Sequence, residues 1–366
     1  MNELITLRSR QDLMQRIGDI SQVAGARRCV LSDGKAQGVE AVDLRTGGGL
    51  AFTVLPGRGM DIAWTEYRGT PVAYMSKTGV AGPAYYEADG LQWLRTFFAG
   101  LLTTCGLSNV GGPCAEEEPV VGMQRHGLHG RISNMAADNV CVKEEWRGDD
   151  FVMSVSGRLR EAMLHGENLT LRREITATLG EKRFFLHDVV ENEGFTARPL
   201  MMLYHINVGY PVLDAGSRLI CASDVIEPVS DLARSELNRC RMMGPPEGGY
   251  PERVYFHDLV SGPDGRAGVA LANDALGLGV YVRFDKRQLP RFTQWKQLGA
   301  AEYVVGLEPG NCWPVGRLEQ RKRGNLETIA AGERRLFDLE IGILDGPAAI
   351  AEFARSVGAR EEQDRQ

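Results

Sequence analysis

Apolar and polar residues alternate along most of this chain with a period of two. Between Leu169 and Leu179, residues Leu169, Leu171, Arg173, Ile175, Ala177 and Leu179 share one face, and Thr170, Arg172, Glu174, Thr176 and Thr178 share the other. That is the pattern of a half-buried strand. Gly180-Glu181 predicts a turn, and Arg183–Glu191 the partner strand of a hairpin. Further strand-like runs are Gly38–Leu44, Leu50–Leu55, Asp61–Trp64, Val72–Met75, Phe151–Leu159, Leu200–Val208, Arg218–Ala222, Ala267–Ala272, Gly279–Phe284, Phe292–Lys296, Tyr303–Glu308 and Arg335–Leu344. TGGGL (Thr46–Leu50) reads as a hairpin turn between two of them. Helical spacing is confined to three segments: Glu3–Ile17, Leu91–Leu102 and Ala348–Val357, the last followed by a charged tail expected to fray. No regular βα alternation occurs, which argues against Rossmann and TIM architectures. The pattern predicts an all-β chain, a large antiparallel sandwich with a few peripheral helices.

No linker rich in Gly/Ser or Pro divides the 366 residues, and no solenoid-length repeat is visible, so one domain spanning residues 1–366 is expected. PPEGGYPER (Pro245–Arg253) is the most loop-like stretch and reads as a surface excursion or a site rim. The 44 glycines, well above the usual ~7 % share, fit a chain with many tight turns.

Charge and cysteine usage narrow the ligand classes. With 42 Lys+Arg against 48 Asp+Glu the net charge is −6, without the basic footprint of a nucleic-acid binder. The seven cysteines are scattered, with no C-x-x-C pair, which fits a reducing cytoplasm better than a disulfide framework or zinc knuckle. Neither a signal-peptide core nor a membrane-length apolar run is present. Phosphate-loop, dinucleotide and nucleophile-elbow motifs are missing; the two close glycines of LPGRGMDI lack the dinucleotide spacing.

The candidate chemistry centres on histidines and one glutamate. His126 and His129 fall in RHGLHGRISN, where glycines disfavour a helix. Their spacing admits shared metal ligation, a structural role, or polar recognition of a ligand, and with no third ligand nearby in sequence recognition is the preferred reading. His205 follows an apolar strand, with Met201 and Leu203 on its face; it is either a satisfied core histidine or a site residue at a strand end. Glu308 terminates the apolar run Tyr303–Leu307 and precedes PGNCWP. It is either an exposed strand-end acid or a desolvated carboxylate, whose raised pKa would make it a proton acceptor near neutrality. Gln294 and Trp295, in RFTQWKQLG, offer an amide and an aromatic face of the kind that lines sugar sites.

Taken in order, RHGLHGRISN, LYHINVGYP, FTQWKQLG and GLEPGNCWP resemble the aldose 1-epimerase (galactose mutarotase-like) superfamily, and within it a bacterial aldose-1-epimerase-like family. LPGRGMDIAWTEYRGTPVAYMS and LLTTCGLSNVGGP share the resemblance, which runs from about Val39 to Leu344. It implies a β-supersandwich that acts at the anomeric carbon of a sugar without metal or redox cofactor. By the same resemblance His205 is the general acid, Glu308 the general base, and His129, with His126 as neighbour, a sugar contact. Asn109 falls where an asparagine contacts sugar hydroxyls, but the arginine usually beside it is absent. Ile206-Asn207-Val208 and PGNCWP also depart from the family pattern, which bears more on sugar identity than on the chemistry.

The expected function is therefore a sugar mutarotase. A base takes the proton of the anomeric hydroxyl, an acid protonates the ring oxygen, the ring opens, C1–C2 rotates and the ring recloses. The expected recognition set is Arg58, Asn109, His126, His129, Arg131 and Gln294. Arg58 and Arg131 extend the expectation to a sugar bearing a carboxylate, sulfonate or phosphate, since a guanidinium pairs with such groups in bidentate fashion. Both arginines are equally readable as surface or internal ion pairs. The rival readings are a non-catalytic sugar-binding or sensing protein, and another sugar isomerase or lyase using the same pair.

Overall fold

A computed structural model describes residues 9–118 and 120–359. Two large antiparallel sheets dominate it. The first runs, in spatial order, Gly25–Val30, Glu40–Arg45, Leu50–Leu55, Asp61–Tyr67, Leu102–Leu107, Met201–Val208, Glu302–Gly310, Arg291–Gly299, Arg253–Leu259 and Ser223–Pro228, with the short Thr70–Pro71 attached to Asp61–Tyr67. The second runs Asp138–Arg147, Asp150–Ala162, Asn168–Thr178, Arg183–Asn192, Arg334–Asp345, Leu278–Asp285, Arg266–Asn273 and Arg218–Ile220. Every strand pair within both sheets is antiparallel. The all-β sandwich read from the alternation is the observed fold.

Alternation along Met201–Val208 explains how the first sheet faces two ways. Met202, Tyr204, Ile206 and Val208 join the main apolar core together with Ile175, Leu186 and Leu339 of the second sheet. Met201 and Leu203 point to the opposite face, into a smaller cluster with Trp93, Phe97, Cys105 and Cys312. Each apolar side chain sealed between the sheets contributes about 1.5–3 kcal/mol of burial.

A buried ionic cluster crosses that core directly behind Tyr204. Arg173, from the second sheet, bonds Asp188 through Nε at 2.9 Å and Nη2 at 2.7 Å. Its Nη1 reaches Thr104 Oγ1 at 2.8 Å and Asp61 Oδ1 at 3.4 Å on the first sheet. The Tyr204 hydroxyl donates to Asp188 Oδ2 at 2.7 Å. Arg173, Asp61 and Asp188 have fully buried side chains; the Arg173 and Asp188 charges offset each other, while burial raises Asp61 to about 7. The cluster ties together the strands that carry Thr104 and Tyr204, next to the residues described below.

Helix is sparse. The segment expected to be helical over Leu91–Leu102 is not: a single 3-10 turn covers Gln92–Arg95, followed by the short strand Ala99–Gly100 and then Leu102–Leu107. Ala99 and Gly100 both have φ 64°, a left-handed pair that ends any helix. Gly100 is also held where a Cβ would stand 2.4 Å from the Ile62 carbonyl oxygen, so the backbone passes too close for a side chain. The predicted C-terminal helix is present as Pro347–Ser356, with proline at its first turn and Ile350 and Phe353 buried. Of Glu3–Ile17, the described part forms a helix over Arg10–Met14; residues 1–8 and most of the charged tail lie outside the described residues. Of the run Val72–Met75, Tyr74–Met75 forms a strand that pairs with Ala99–Gly100, while Thr70–Pro71 just before the run pairs with Glu66–Tyr67. Among the described residues no helix is long and apolar enough to cross a membrane.

Candidate active site

Four adjacent strands of the first sheet bring a row of polar residues to the face turned away from the main core. Thr103 is opposite His205, and Thr293 is opposite Glu308. The pairing of Leu203 with Gly310 and of Ile206 with Leu307 sets His205 across from Glu308. Residues directly opposite in an antiparallel pair carry their side chains on the same face within about 5.5 Å. Nε2 of His205 stands 3.1 Å from Oε1 of Glu308. Glu308 Oε1 and His205 Nδ1 are buried and lack an aligned hydrogen-bond partner in the protein. Such atoms are costly unless a ligand uses them.

Burial dominates the electrostatics of the pair. It raises the Glu308 carboxyl well above the usual carboxylate range, with the nearby Glu252 charge adding to the shift. It lowers His205 to about 4. Desolvation penalises the charged form of each, so the pair favours one shared proton, resting on Glu308 beside a neutral imidazole.

His129 completes the floor. It sits at φ 56°, a left-handed conformation uncommon for a non-glycine residue. Its Nδ1 accepts the Gly111 N–H at 3.4 Å, which leaves the proton on Nε2 and makes that nitrogen a donor. Burial, then His205, lowers its pKa to about 3, so it stays neutral. The ring lies 4.8 Å from Trp93 and 5.9 Å from His205. Trp295 and Phe97 flank His205 edge-on at 5.2 and 5.3 Å. These groups line a cavity of about 660 Å³, whose walls also include Thr293, Gln297, Tyr74 and Phe256. At the rim, Trp295 Nε1 donates to Glu252 Oε2 at 2.7 Å, and Lys77 pairs with Glu302 at 2.6 Å. An acceptor–donor pair, a neutral imidazole donor and aromatic faces suit a polyhydroxylated ring. Among the described residues no group of three or more His, Cys, Asp and Glu is arranged to hold a metal.

Of the eight residues selected from the sequence, the structure brings His205, Glu308 and His129 to this cavity, and the other five do not line it. Arg58 is buried and donates to the carbonyls of Ser133 at 2.9 Å, Thr96 at 3.1 Å and Ala81, so its guanidinium is consumed by backbone. Asn109 is also a scaffold: Nδ2 donates to Gly127 O at 2.8 Å, and Oδ1 accepts the Arg317 N–H at 2.8 Å. It thereby fixes the turn that carries His129. Gln294 points between the sheets, with Oε1 3.0 Å from His257 Nε2 and Nε2 donating to Cys240 O at 2.7 Å. His126 lies on the Gly122–His126 strand, near Arg317, Glu118 and Glu116, where burial lowers it to about 4. Arg131 is exposed outside the cavity. The anionic sugar suggested by Arg58 and Arg131 therefore has no arginine to meet it here.

The cavity residues missed in the sequence carry a retrievable signal in part. Strand alternation places Thr293, Trp295 and Gln297 on the cavity face and Gln294 and Lys296 on the other. Glu252 belongs to the loop-like Pro245–Arg253 stretch, one of whose readings was a site rim. Trp93 and Phe97 were hidden by the helical reading of Leu91–Leu102.

Comparison with known proteins defines the class. A protein from Klebsiella pneumoniae provisionally assigned as an aldose 1-epimerase superposes with a TM-score of 0.84 at 25 % identity, covering 93 % of this chain and 90 % of that one. A galactose 1-epimerase from Lactobacillus acidophilus gives 0.58 at 12 % identity, over 88 % and 99 % of the two chains. An Escherichia coli protein with a provisional aldose 1-epimerase assignment gives 0.54 at 14 %, over 87 % and 99 %. The fold is thus galactose mutarotase-like, as the sequence resemblance implied. The chain belongs to the family described as a domain of unknown function, DUF4432, whose profile matches residues 36–343. Among curated proteins, none matches this sequence.

Proposed function

We propose that this protein is a sugar mutarotase in which Glu308 and His205 exchange protons with the anomeric hydroxyl and the ring oxygen. The observation that carries the reading is the 3.1 Å approach of His205 Nε2 to Glu308 Oε1, both side chains buried, at an aromatic cavity. Anomerisation needs one base and one acid, and hence one proton shared by the pair. In the working arrangement the carboxylate receives the O1 proton while the imidazolium protonates O5. That arrangement is reached when the shared proton crosses from Glu308 to His205, a step that sugar hydroxyls favour by donating hydrogen bonds to the carboxylate. After rotation about C1–C2 the same two groups run the transfers backwards and close the ring on its other face. His129, neutral and donating from Nε2, holds a sugar oxygen. Trp295, Trp93 and Phe97 supply apolar faces for the ring.

Saturation-transfer NMR of anomer exchange tests this directly. Wild-type protein should exchange the α and β signals of its sugar faster than buffer does, and Glu308→Gln should not. If every sugar that binds exchanges at the buffer rate, the non-catalytic binding reading replaces this one. The seven free cysteines support a reducing compartment such as the cytoplasm.

A further inference from the structure

The charged groups that face the cavity are few and uneven in sign. They are Glu252, Glu302, Lys77 and the His205–Glu308 pair. Lys77 is held by Glu302 at 2.6 Å, and the buried pair shares a proton as a neutral unit. One unit of negative charge is left, on Glu252. Its carboxylate accepts the Trp295 indole N–H through Oε2, and a carboxylate has further lone pairs to offer. That contact fixes the carboxylate beside the Trp295 ring, which itself packs 5.2 Å from His205. The carboxylate stands at the indole edge, in line with the ring N–H, so its remaining lone pairs are what a cation can meet, by ion pairing. The buried His205–Glu308 pair, 3.1 Å apart on the wall of the same cavity, marks it as a site for a polar ligand.

Resting on the mutarotase reading, we propose that the cavity selects its sugar by charge. It takes a sugar bearing an ammonium group, paired with the Glu252 carboxylate at the lone pairs that Trp295 leaves free, ahead of the neutral sugar, and it disfavours sugars bearing a carboxylate or phosphate. Glu252 is the residue that sets this order. Because the Glu252 side chain is exposed at the rim, the discrimination is moderate, about two- to fivefold in kcat/KM between amino and neutral sugars. The same charge opposes an anionic substituent.

The test is a matched charge series. Exchange and binding are measured by NMR for glucose, 2-amino-2-deoxyglucose, 6-amino-6-deoxyglucose and glucuronate, and for their galacto counterparts, at a pH that keeps the amines protonated. The expected order is amino, neutral, acidic in at least one amino position, with the amino preference shrinking as salt is added. Glu252→Gln should bring the amino-to-neutral ratio to about one while circular dichroism stays unchanged. A wild-type ratio of one or less, or a preference that survives Glu252→Gln, overturns the inference. Preferential binding of amino sugars without any catalysed exchange would uphold charge selection and sink the mutarotase reading; exchange without charge preference would do the reverse.

Discussion

His205 and Glu308 face each other across one antiparallel strand pair, and the opposition is fixed by register. Leu203 pairs with Gly310 and Ile206 with Leu307, so the two side chains emerge on the same face of neighbouring strands. A slip of one residue would send one of them into the main core. Gly306, two residues before Glu308 on the same face, is opposite Trp295. A Cβ there would stand 2.4 Å from Glu308 Oε1 and 3.0 Å from the Trp295 Cβ. The missing side chain is what lets the carboxylate lie where it reaches His205.

Gly306→Ala should therefore damage turnover without removing any reacting group. The methyl displaces the carboxylate or the indole. A misplacement of about 1 Å is enough to lower kcat on the order of 10²-fold, and the overpacking costs about 1–3 kcal/mol of stability. Steady-state kinetics with a urea unfolding curve checks both. A folded variant with the parent kcat would show that the His205–Glu308 separation is not what turnover depends on.

Removing the proton-transfer groups themselves should be more severe. Glu308→Gln and His205→Asn are each expected to lower kcat by ~10²–10⁴ with KM little changed. The double variant should be hardly worse than either single one, because losing one partner already stops the step the other serves. His129→Asn should act mainly through KM, since it holds the sugar and moves no proton. Additive losses in the double variant would mean that the two residues work in separate steps.

The pH profile follows from the same pair. Activity needs one proton between His205 and Glu308. A second proton arrives as the pH falls through the lowered His205 value of about 4, and the rate should drop there. On the alkaline side the rate should fall only where Glu308, held well above the usual carboxylate range, gives up the last proton. kcat/KM should thus show its acid limb well below the usual histidine value of about 6.5 and its alkaline limb above the usual carboxylate range. An acid limb near that usual value would mean that His205 titrates as an exposed histidine. His129 is already neutral and should leave no inflection near neutrality.

Parity along a single strand separates recognition from scaffolding. Trp295→Leu removes a ring from the cavity wall and one partner of Glu252, and should weaken sugar affinity at small cost to folding. Gln294→Leu should do the opposite. It strips partners from His257 Nε2 and Cys240 O, a loss of about 1–3 kcal/mol for each buried group left unpaired. Isothermal titration and thermal melts on the two variants distinguish these outcomes. Weaker sugar binding in a stable Gln294→Leu protein would return Gln294 to the recognition set.

These contrasts show what a sequence carries here. Leu169–Leu179 was readable because one face of the strand meets the core and alternation records it, and Met201–Val208 because it is buried on both faces and reads as a nearly continuous apolar run. The pair His205 and Glu308 stood out because polar groups at apolar strand ends are conspicuous. Arg58 and Asn109 looked like recognition groups because sequence shows a donor but not its acceptor; both are spent on backbone carbonyls brought near by distant chain segments. The edge strand Gly25–Val30 and the hairpin of Cys114–Glu118 with Gly122–His126 went unread, since their largely solvated faces leave no hydrophobic period. The cavity wall around Trp93 and Phe97 depends on the left-handed turn at Ala99-Gly100, which helical spacing alone does not reveal.

His257 links the scaffold behind the site to pH. It is fully buried, with Nδ1 3.0 Å from Ser223 Oγ and Nε2 3.0 Å from Gln294 Oε1. Burial lowers it to about 3, against about 6.5 in the unfolded chain. Between those values the unfolded chain takes up a proton that the native state refuses. The stability this group contributes is whole above about 6.5 and is lost, by about 1.4 kcal/mol per pH unit, as the pH falls toward 3. His257→Gln removes that proton uptake. The variant should be less stable than the parent at pH 7 through imperfect replacement of two buried hydrogen bonds. Its deficit should then shrink by about 2 kcal/mol on going to pH 5. Groups shifted the other way, such as Glu308, affect both proteins alike and cancel in the difference. Urea unfolding of both proteins across this range measures it. A deficit that stays constant with pH would mean that His257 is already protonated in the native fold.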